Sequence, residues 1–200
     1  MNKLLAEFLG TFGFCVVALQ TQNALAAAAA LIAMVYGLGY VSGGHFNPAV
    51  SVAVWMRGQL DRGEMLRYCA AQALGAIAAF LFHKGLADSA DVIRKLDPPA
   101  FRAFLGETCF TFLVAFTWLH VRTARQQLGN GFFGAAIGLA QFAGASALGR
   151  LSAGACNPAL GLAFVLGGYL PAWMIPIHLM TGLMGGAMAT IAYRLLNPND

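Results

Sequence analysis

Long apolar runs separated by short polar connections set the pattern of this chain. A helix needs about 20 mostly apolar residues to cross a bilayer, and six runs approach that length. They cover residues 3–19, 24–41, 65–83, 101–121, 131–148 and 170–195. The pattern predicts an all-α membrane protein with six transmembrane helices.

Two further apolar segments, 48–56 and 158–167, are too short to cross, because ten helical residues rise only about 15 Å. We expect them to enter the membrane and return as re-entrant half-helices. Non-helical backbone at membrane depth is tolerated only where it is buried in protein or lines a watery cavity. The two segments therefore predict a polar path through the molecule.

Composition supports a membrane protein and excludes other classes. The 200 residues are 59% hydrophobic and 10% charged, whereas soluble domains carry about a quarter charged residues. The net charge of +4 is spread thinly and forms no basic stripe, so we expect no nucleic-acid partner. The four cysteines lack metal-like spacing, and we predict neither a metal site nor a cofactor.

The basic residues indicate an orientation in the membrane. Seven fall on one predicted face and five on the other, where aspartates interleave with them. By the positive-inside rule this bias predicts that both termini are cytoplasmic, in a cell membrane. The seven are Lys3, Arg57, Arg62, Arg67, Arg122, Arg125 and Arg194, and the five are Lys84, Arg94, Lys95, Arg102 and Arg150.

The chain is predicted to be one domain made of two halves, residues 1–84 and 100–200, joined by an extracytoplasmic segment, 85–99. The sequence around Glu7 resembles that around Glu107, and in each half a second span and a short Asn-Pro-Ala segment follow. With three spans a half, the second copy is inverted. Inverted repeats place their shared site near the midplane, between half-helices.

Each Asn-Pro-Ala triplet is a predicted helix start. Asn favours the N-cap and Pro the first helical position, where its missing N–H is no loss. One such triplet is a common helix cap. Two of them, Asn47-Pro48-Ala49 and Asn157-Pro158-Ala159, each after a Gly/Ser-rich approach in an apolar chain, favour a paired functional site.

The segment Ser42-Gly43-Gly44-His45-Phe46-Asn47-Pro48-Ala49-Val50 resembles the first signature of the aquaporin and glycerol-channel family, the major intrinsic proteins. Ser152-Ala153-Gly154-Ala155-Cys156-Asn157-Pro158-Ala159 resembles the second. The resemblance implies an aquaporin-like fold and a passive channel, not an enzyme. It also implies a homotetramer with one pore per subunit, passing water or small neutral solutes.

Further roles follow from the same resemblance. The Asn47 and Asn157 amides donate hydrogen bonds into the pore and orient water so that protons are not relayed. The two helix starts add partial positive charge that repels cations. Glu7 and Glu107 either relay protons or hold the re-entrant loops, and the resemblance favours the second role. His45 is either a pore ligand or pH gate or a structural residue, and the structural role is favoured. Backbone carbonyls expected along the pore are those of Gly43, Gly44, His45, Phe46, Ala153, Ala155 and Cys156.

The sequence departs from the family at the selectivity filter. Most relatives carry an arginine after the second triplet, where this chain has Leu160. Counting from the motifs assigns Ala27, Ala145 and Gly154 to the other filter positions. Such a ring either passes bulkier neutral solutes, among them glycerol, urea, ammonia and metalloid hydroxides, or closes the pore by dewetting.

Several alternatives stay open. Arg150 is either a substitute for the missing arginine or a solvated loop residue, and the second is favoured. Cys156 either faces the pore or packs inward. A closed or structural relative is a second hypothesis for the whole chain. A remote third is an intramembrane enzyme using Ser42 and His45, for which no oxyanion arrangement is evident.

Overall fold

The computed structural model describes residues 2–86 and 95–200, so most of the predicted connecting segment 85–99 lies outside the described residues. The described part is helical, with connections that are mostly short. Its α-helices are α1 (Asn2–Thr21), α2 (Ala24–Ser42), α3 (Pro48–Met56), α4 (Arg62–Leu86), α5 (Ala100–Thr123), α6 (Phe133–Leu148), α7 (Pro158–Leu166) and α8 (Met174–Leu196).

Five of these helices, α1, α2, α4, α5 and α8, are long and apolar enough to span a membrane. The sixth predicted span corresponds to α6, an apolar helix of 16 residues. It rises about 24 Å and ends in a turn, in which the Leu151 and Ser152 amides both donate to the Leu148 carbonyl at 2.8 Å. The molecule is an all-α, multi-pass membrane protein.

The start of α8 differs from the prediction, which began the last span at residue 170. The helix begins at Met174, after a turn in which the Met174 amide donates to the Pro171 carbonyl at 3.0 Å. Proline carries no N–H to donate and disfavours helical backbone in the residue before it. Leu170 is buried, but as part of the loop that precedes this turn.

The long helices pack in corresponding pairs, α1 along α4 and α5 along α8. Each pair has a glycine where the two backbones come close together. A Cβ on Gly75 would lie 2.6 Å from the Phe8 carbonyl oxygen, and one on Gly185 would lie 2.8 Å from the Phe112 amide nitrogen. The two glycines share the 110-residue offset of the two Asn-Pro-Ala triplets, so both halves use the same crossing.

The half-helices α3 and α7 lie inside the bundle. Each has nine residues and rises only about 14 Å. The α3 helix packs against α4, α5 and α8, and α7 against α1, α4 and α8. Their central residues are buried, whereas leucines on the outer helices, such as Leu66 and Leu183, are more than half exposed. These exposed leucines form a surface suited to lipid.

The end of α3 away from its triplet is held by Arg57. Its Nε donates to the Thr123 hydroxyl at 2.9 Å, and its Nη2 donates to the Tyr193 hydroxyl at 3.0 Å. The guanidinium also lies 4.3 Å from the centre of the Tyr193 ring. This single side chain therefore connects α3 to the ends of α5 and α8.

Candidate functional site

The two triplets begin the two half-helices. Asn47 caps α3, with its Oδ1 accepting from the Ala49 amide at 2.9 Å, and Asn157 caps α7 by accepting from the Ala159 amide at the same distance. In each case proline occupies the first turn. The local sequence thus fixes both helix starts, because the cap satisfies an otherwise unpaired amide.

The two asparagines also bind each other's loops. Asn47 Nδ2 donates to the Cys156 carbonyl at 3.1 Å, and Asn157 Nδ2 donates to the Phe46 carbonyl at 2.9 Å. A primary amide has two N–H donors, so each asparagine keeps one further donor. The reciprocal pair brings the first turns of α3 and α7 together at one place.

The residue before each asparagine has left-handed backbone. Phe46 has φ 46° and Cys156 has φ 48°, a region that non-glycine residues rarely adopt and that costs about 1–3 kcal/mol. Each of these residues lies directly before the asparagine that caps a half-helix. The two positions correspond in the two halves, so the strain is a repeated feature of the site.

In the first half, the Glu7 carboxylate stabilises this turn from α1. One oxygen accepts from the Ser42 hydroxyl at 2.6 Å and the His45 amide at 3.0 Å. The other accepts from the Phe46 amide and from Gln72 Nε2, both at 2.7 Å. Glu7 is fully buried, and its four donors replace the water that it would otherwise bind.

Glu107 does the same in the second half with fewer donors. It accepts from the Ser152 hydroxyl at 2.6 Å, the Ala155 amide at 3.2 Å and the Cys156 amide at 2.7 Å. His178 Nδ1 lies 3.9 Å from the carboxylate, which is beyond hydrogen-bond distance. Both carboxylates therefore hold the strained turns from a neighbouring helix.

His45 lies behind the first loop. Its Nδ1 is 3.0 Å from the Ser51 hydroxyl, and its ring packs edge-on against Tyr68 and Trp118. The Ser42 hydroxyl donates to Glu7. The structure thus gives Ser42 and His45 separate partners and does not pair them as nucleophile and base.

The loop carbonyls named from the sequence fall into two groups. Four already accept from protein donors: Gly44 from Trp118, Phe46 and Cys156 from the asparagines, and Ala155 from Gln141. Within residues 2–86 and 95–200, no protein donor is seen for the carbonyls of Gly43, His45 and Ala153. Each carbonyl of the first group retains a second lone pair.

The four residues assigned to the filter line one cavity of about 150 Å³. It adjoins the α1–α2 connection and has room for a few water molecules. Arg150 is exposed and does not line it. Cys156 does not line it either: a Cβ on Gly144 would lie 2.6 Å from the Cys156 sulfur, so that thiol packs against α6. The four lining residues that the sequence assigned to the filter are Ala27, Ala145, Gly154 and Leu160.

Two buried glutamines at this site were not predicted from the sequence. Gln141 lines the cavity one helical turn before Ala145, and Gln72 reaches both Glu7 and the Ser51 hydroxyl. A polar residue inside an apolar span is a functional-site signal, and this signal marks both glutamines as it marks Glu7 and Glu107. Among the described residues, no group of three or more His, Cys, Asp or Glu is placed to hold a metal ion.

The chain is similar in sequence to known proteins of one family. Residues 1–193 match the family model for the major intrinsic proteins. The chain is 32% identical to Glycerol uptake facilitator protein-like 6 of Lactiplantibacillus plantarum, over the whole of both chains. It is 30% identical to Nodulin-26 of Glycine max, covering all of this chain and 79% of that one.

A solved structure, the aquaglyceroporin from Plasmodium falciparum, shares the fold with a TM-score of 0.82. The alignment covers 98% of this chain and 97% of that one at 19% identity. The fold is therefore aquaporin-like, as the sequence predicted. The chain belongs to the major intrinsic protein family, whose members are channels for water or small solutes and not enzymes.

Proposed function

We propose that this chain is a passive channel for water and small uncharged solutes such as glycerol, urea, ammonia or neutral metalloid hydroxides. It works as a homotetramer with one pore per subunit, in a cell membrane, with both termini cytoplasmic. The observation that carries the proposal is the reciprocal pair of bonds from Asn47 and Asn157 beside the cavity that Leu160 lines.

Ion exclusion follows from the paired helix starts. Each helix N-terminus carries about half an elementary positive charge, and α3 and α7 start side by side. Repulsion of cations is strong in a site of low dielectric. The remaining N–H of Asn47 and of Asn157 then holds the oxygen of a passing water, which cannot relay a proton in that orientation.

Solute choice is assigned to the ring around Leu160. Three of its four members are Ala27, Ala145 and Gly154, which have small or no side chains, and the fourth is apolar. An arginine here would add a positive charge and five N–H donors. Without it, the ring is wider and less polar than a strict water filter, which favours bulkier neutral solutes.

Stopped-flow light scattering on proteoliposomes tests this function. We expect faster shrinkage than in empty liposomes after a shock with an impermeant sugar, and re-swelling after shocks with glycerol or urea. If every trace matches that of empty liposomes, the channel proposal is wrong.

The substitution Leu160→Arg tests the place of this residue in the filter. The added donors and bulk are expected to slow glycerol and urea while water flux is retained. Faster passage of the larger solutes through the variant would show that Leu160 does not lie at the constriction.

A second candidate is a pore closed by its own apolar ring. Leu160 is 2% exposed and has apolar neighbours, and a hydrophobic constriction gates by dewetting. This candidate predicts an inert wild type and a Leu160→Ala variant that conducts water. A wild type that conducts water at rest excludes it.

A further inference from the structure

Gln141 lines the cavity and carries one uncompensated polar atom. The residue is 2% exposed and lies on α6. Its Nε2 donates to the Ala155 carbonyl at 3.0 Å, but its Oε1 has no hydrogen-bond partner within the described part of the chain. A buried amide oxygen left unpaired costs about 1–3 kcal/mol.

The bond to Ala155 fixes which end of the amide is free. If the side chain were flipped, Oε1 would face the Ala155 carbonyl oxygen, and two acceptors would oppose each other. The free atom is therefore an acceptor. The neighbouring wall, formed by Ala145, Leu160 and Phe164, has no side-chain polar atom with which to satisfy it.

Among the described residues, three other polar side chains line the cavity: Gln22, Asn23 and Tyr169, whose hydroxyl donates to the Leu19 carbonyl at 3.0 Å. Gln22 and Asn23 are exposed residues of the α1–α2 connection, at the mouth. Asn23 Oδ1 already caps α2, accepting from two backbone amides at 2.9 and 3.0 Å. Gln141 is deeper, because the carbonyl that it binds belongs to the loop leading into Asn157.

We propose that Gln141 Oε1 is an acceptor subsite that makes the cavity selective for solutes rich in hydrogen-bond donors. The inference rests on the proposed channel function. A solute that leaves bulk water loses acceptors for its N–H or O–H groups, and the side chains of the apolar ring give none back. Gln141 adds a side-chain acceptor to the backbone carbonyl of Ala153, which also lines the cavity, so a donor-rich molecule loses less than one with a methyl group in the same place.

Urea and acetamide form a suitable probe pair. Both are planar and similar in size, but acetamide has a methyl group where urea has a second amino group. Either side of urea presents an N–H to Gln141, whereas acetamide presents its methyl in half of its orientations. We expect channel-mediated flux of wild type, after subtraction of empty liposomes, to favour urea over acetamide. A purely apolar ring would favour acetamide.

The substitution Gln141→Met keeps the length of the side chain and removes the acceptor. We expect the urea-to-acetamide permeability ratio to fall about twofold to tenfold, the effect of one neutral hydrogen bond. Loss of the Ala155 contact alone would change both fluxes together and leave the ratio unchanged. Leu139→Met is the matched control, because Leu139 is 56% exposed on the same helix, and its ratio should equal that of wild type.

The outcomes separate the two proposals. If wild type conducts neither water nor either amide, the channel function fails and the subsite fails with it. If wild type conducts and favours acetamide, or if Gln141→Met leaves the ratio unchanged, only the assignment of Gln141 is overturned. The wild-type ratio decides the question even where the variant does not fold.

Discussion

The buried carboxylate of Glu107 gives a graded test of how the second loop is held. It accepts from the Ser152 hydroxyl and from the amides of Ala155 and Cys156. In Glu107→Gln an NH₂ group replaces one oxygen, so whichever way the amide turns, one backbone N–H faces another donor. That orphaned N–H costs about 1–3 kcal/mol, and bonds to a charged acceptor weaken to neutral ones. We expect a total loss of about 2–4 kcal/mol.

Two other variants calibrate this loss. Ser152→Ala removes one of the three donors, so its expected cost is about 1 kcal/mol. Glu64→Gln is the matched control, because Glu64 forms a partly exposed ion pair with Lys3 at 3.0 Å and such pairs contribute about 0–1 kcal/mol.

The assay follows the surviving fraction of detergent-solubilised protein by size exclusion during heating at a fixed temperature, together with water permeability in proteoliposomes. We expect the longest half-life for Glu64→Gln, a shorter one for Ser152→Ala and the shortest for Glu107→Gln. Water flux should be strongly reduced only in Glu107→Gln. If Glu107→Gln matches Glu64→Gln in both measurements, the carboxylate does not hold the strained turn and the reasoning is refuted.

Two further predictions concern packing and the cavity. Gly185→Ala forces a Cβ to within 2.8 Å of α5 and is expected to cost about 1–3 kcal/mol. In Gly37→Ala, the added Cβ of this helical residue has no neighbour within 4 Å among the described residues, so the change should be neutral or stabilising by up to about 1 kcal/mol. Equal thermal half-lives for the two variants would contradict the close crossing of α5 and α8. Arg150→Ala is expected to leave the glycerol-to-water permeability ratio unchanged, because Arg150 lies off the cavity, and a shifted ratio would make it a filter residue.

The sequence predicted most of the fold because its strongest signals are local. The bounds of α3 match the predicted segment, since Pro48 marks the start and the apolar run stops before Arg57. The predicted start of α8 was wrong by four residues, because hydropathy does not register the turn at Pro171. Here the local rule for proline was available and was outweighed by the apolar run.

Other features of the site could not be predicted from local sequence. The left-handed φ of Phe46 is stabilised by a carboxylate 39 residues away, and that of Cys156 by one 49 residues away. Nothing in the immediate sequence requires either. Gln141 escaped notice for another reason: it is uncharged and sits in an otherwise apolar run, where only its spacing from Ala145 marks it.

The reciprocal bonds between the loops also constrain the order in which the parts of the pore are assembled. Asn47 binds a carbonyl 109 residues later in the chain, and Asn157 binds one 111 residues earlier. When the first half leaves the ribosome, the donor of Asn47 and the carbonyl of Phe46 have no partners, and α3 cannot be locked at its final depth. Completion of the aqueous path is therefore a late event of biogenesis, which requires insertion of the second half.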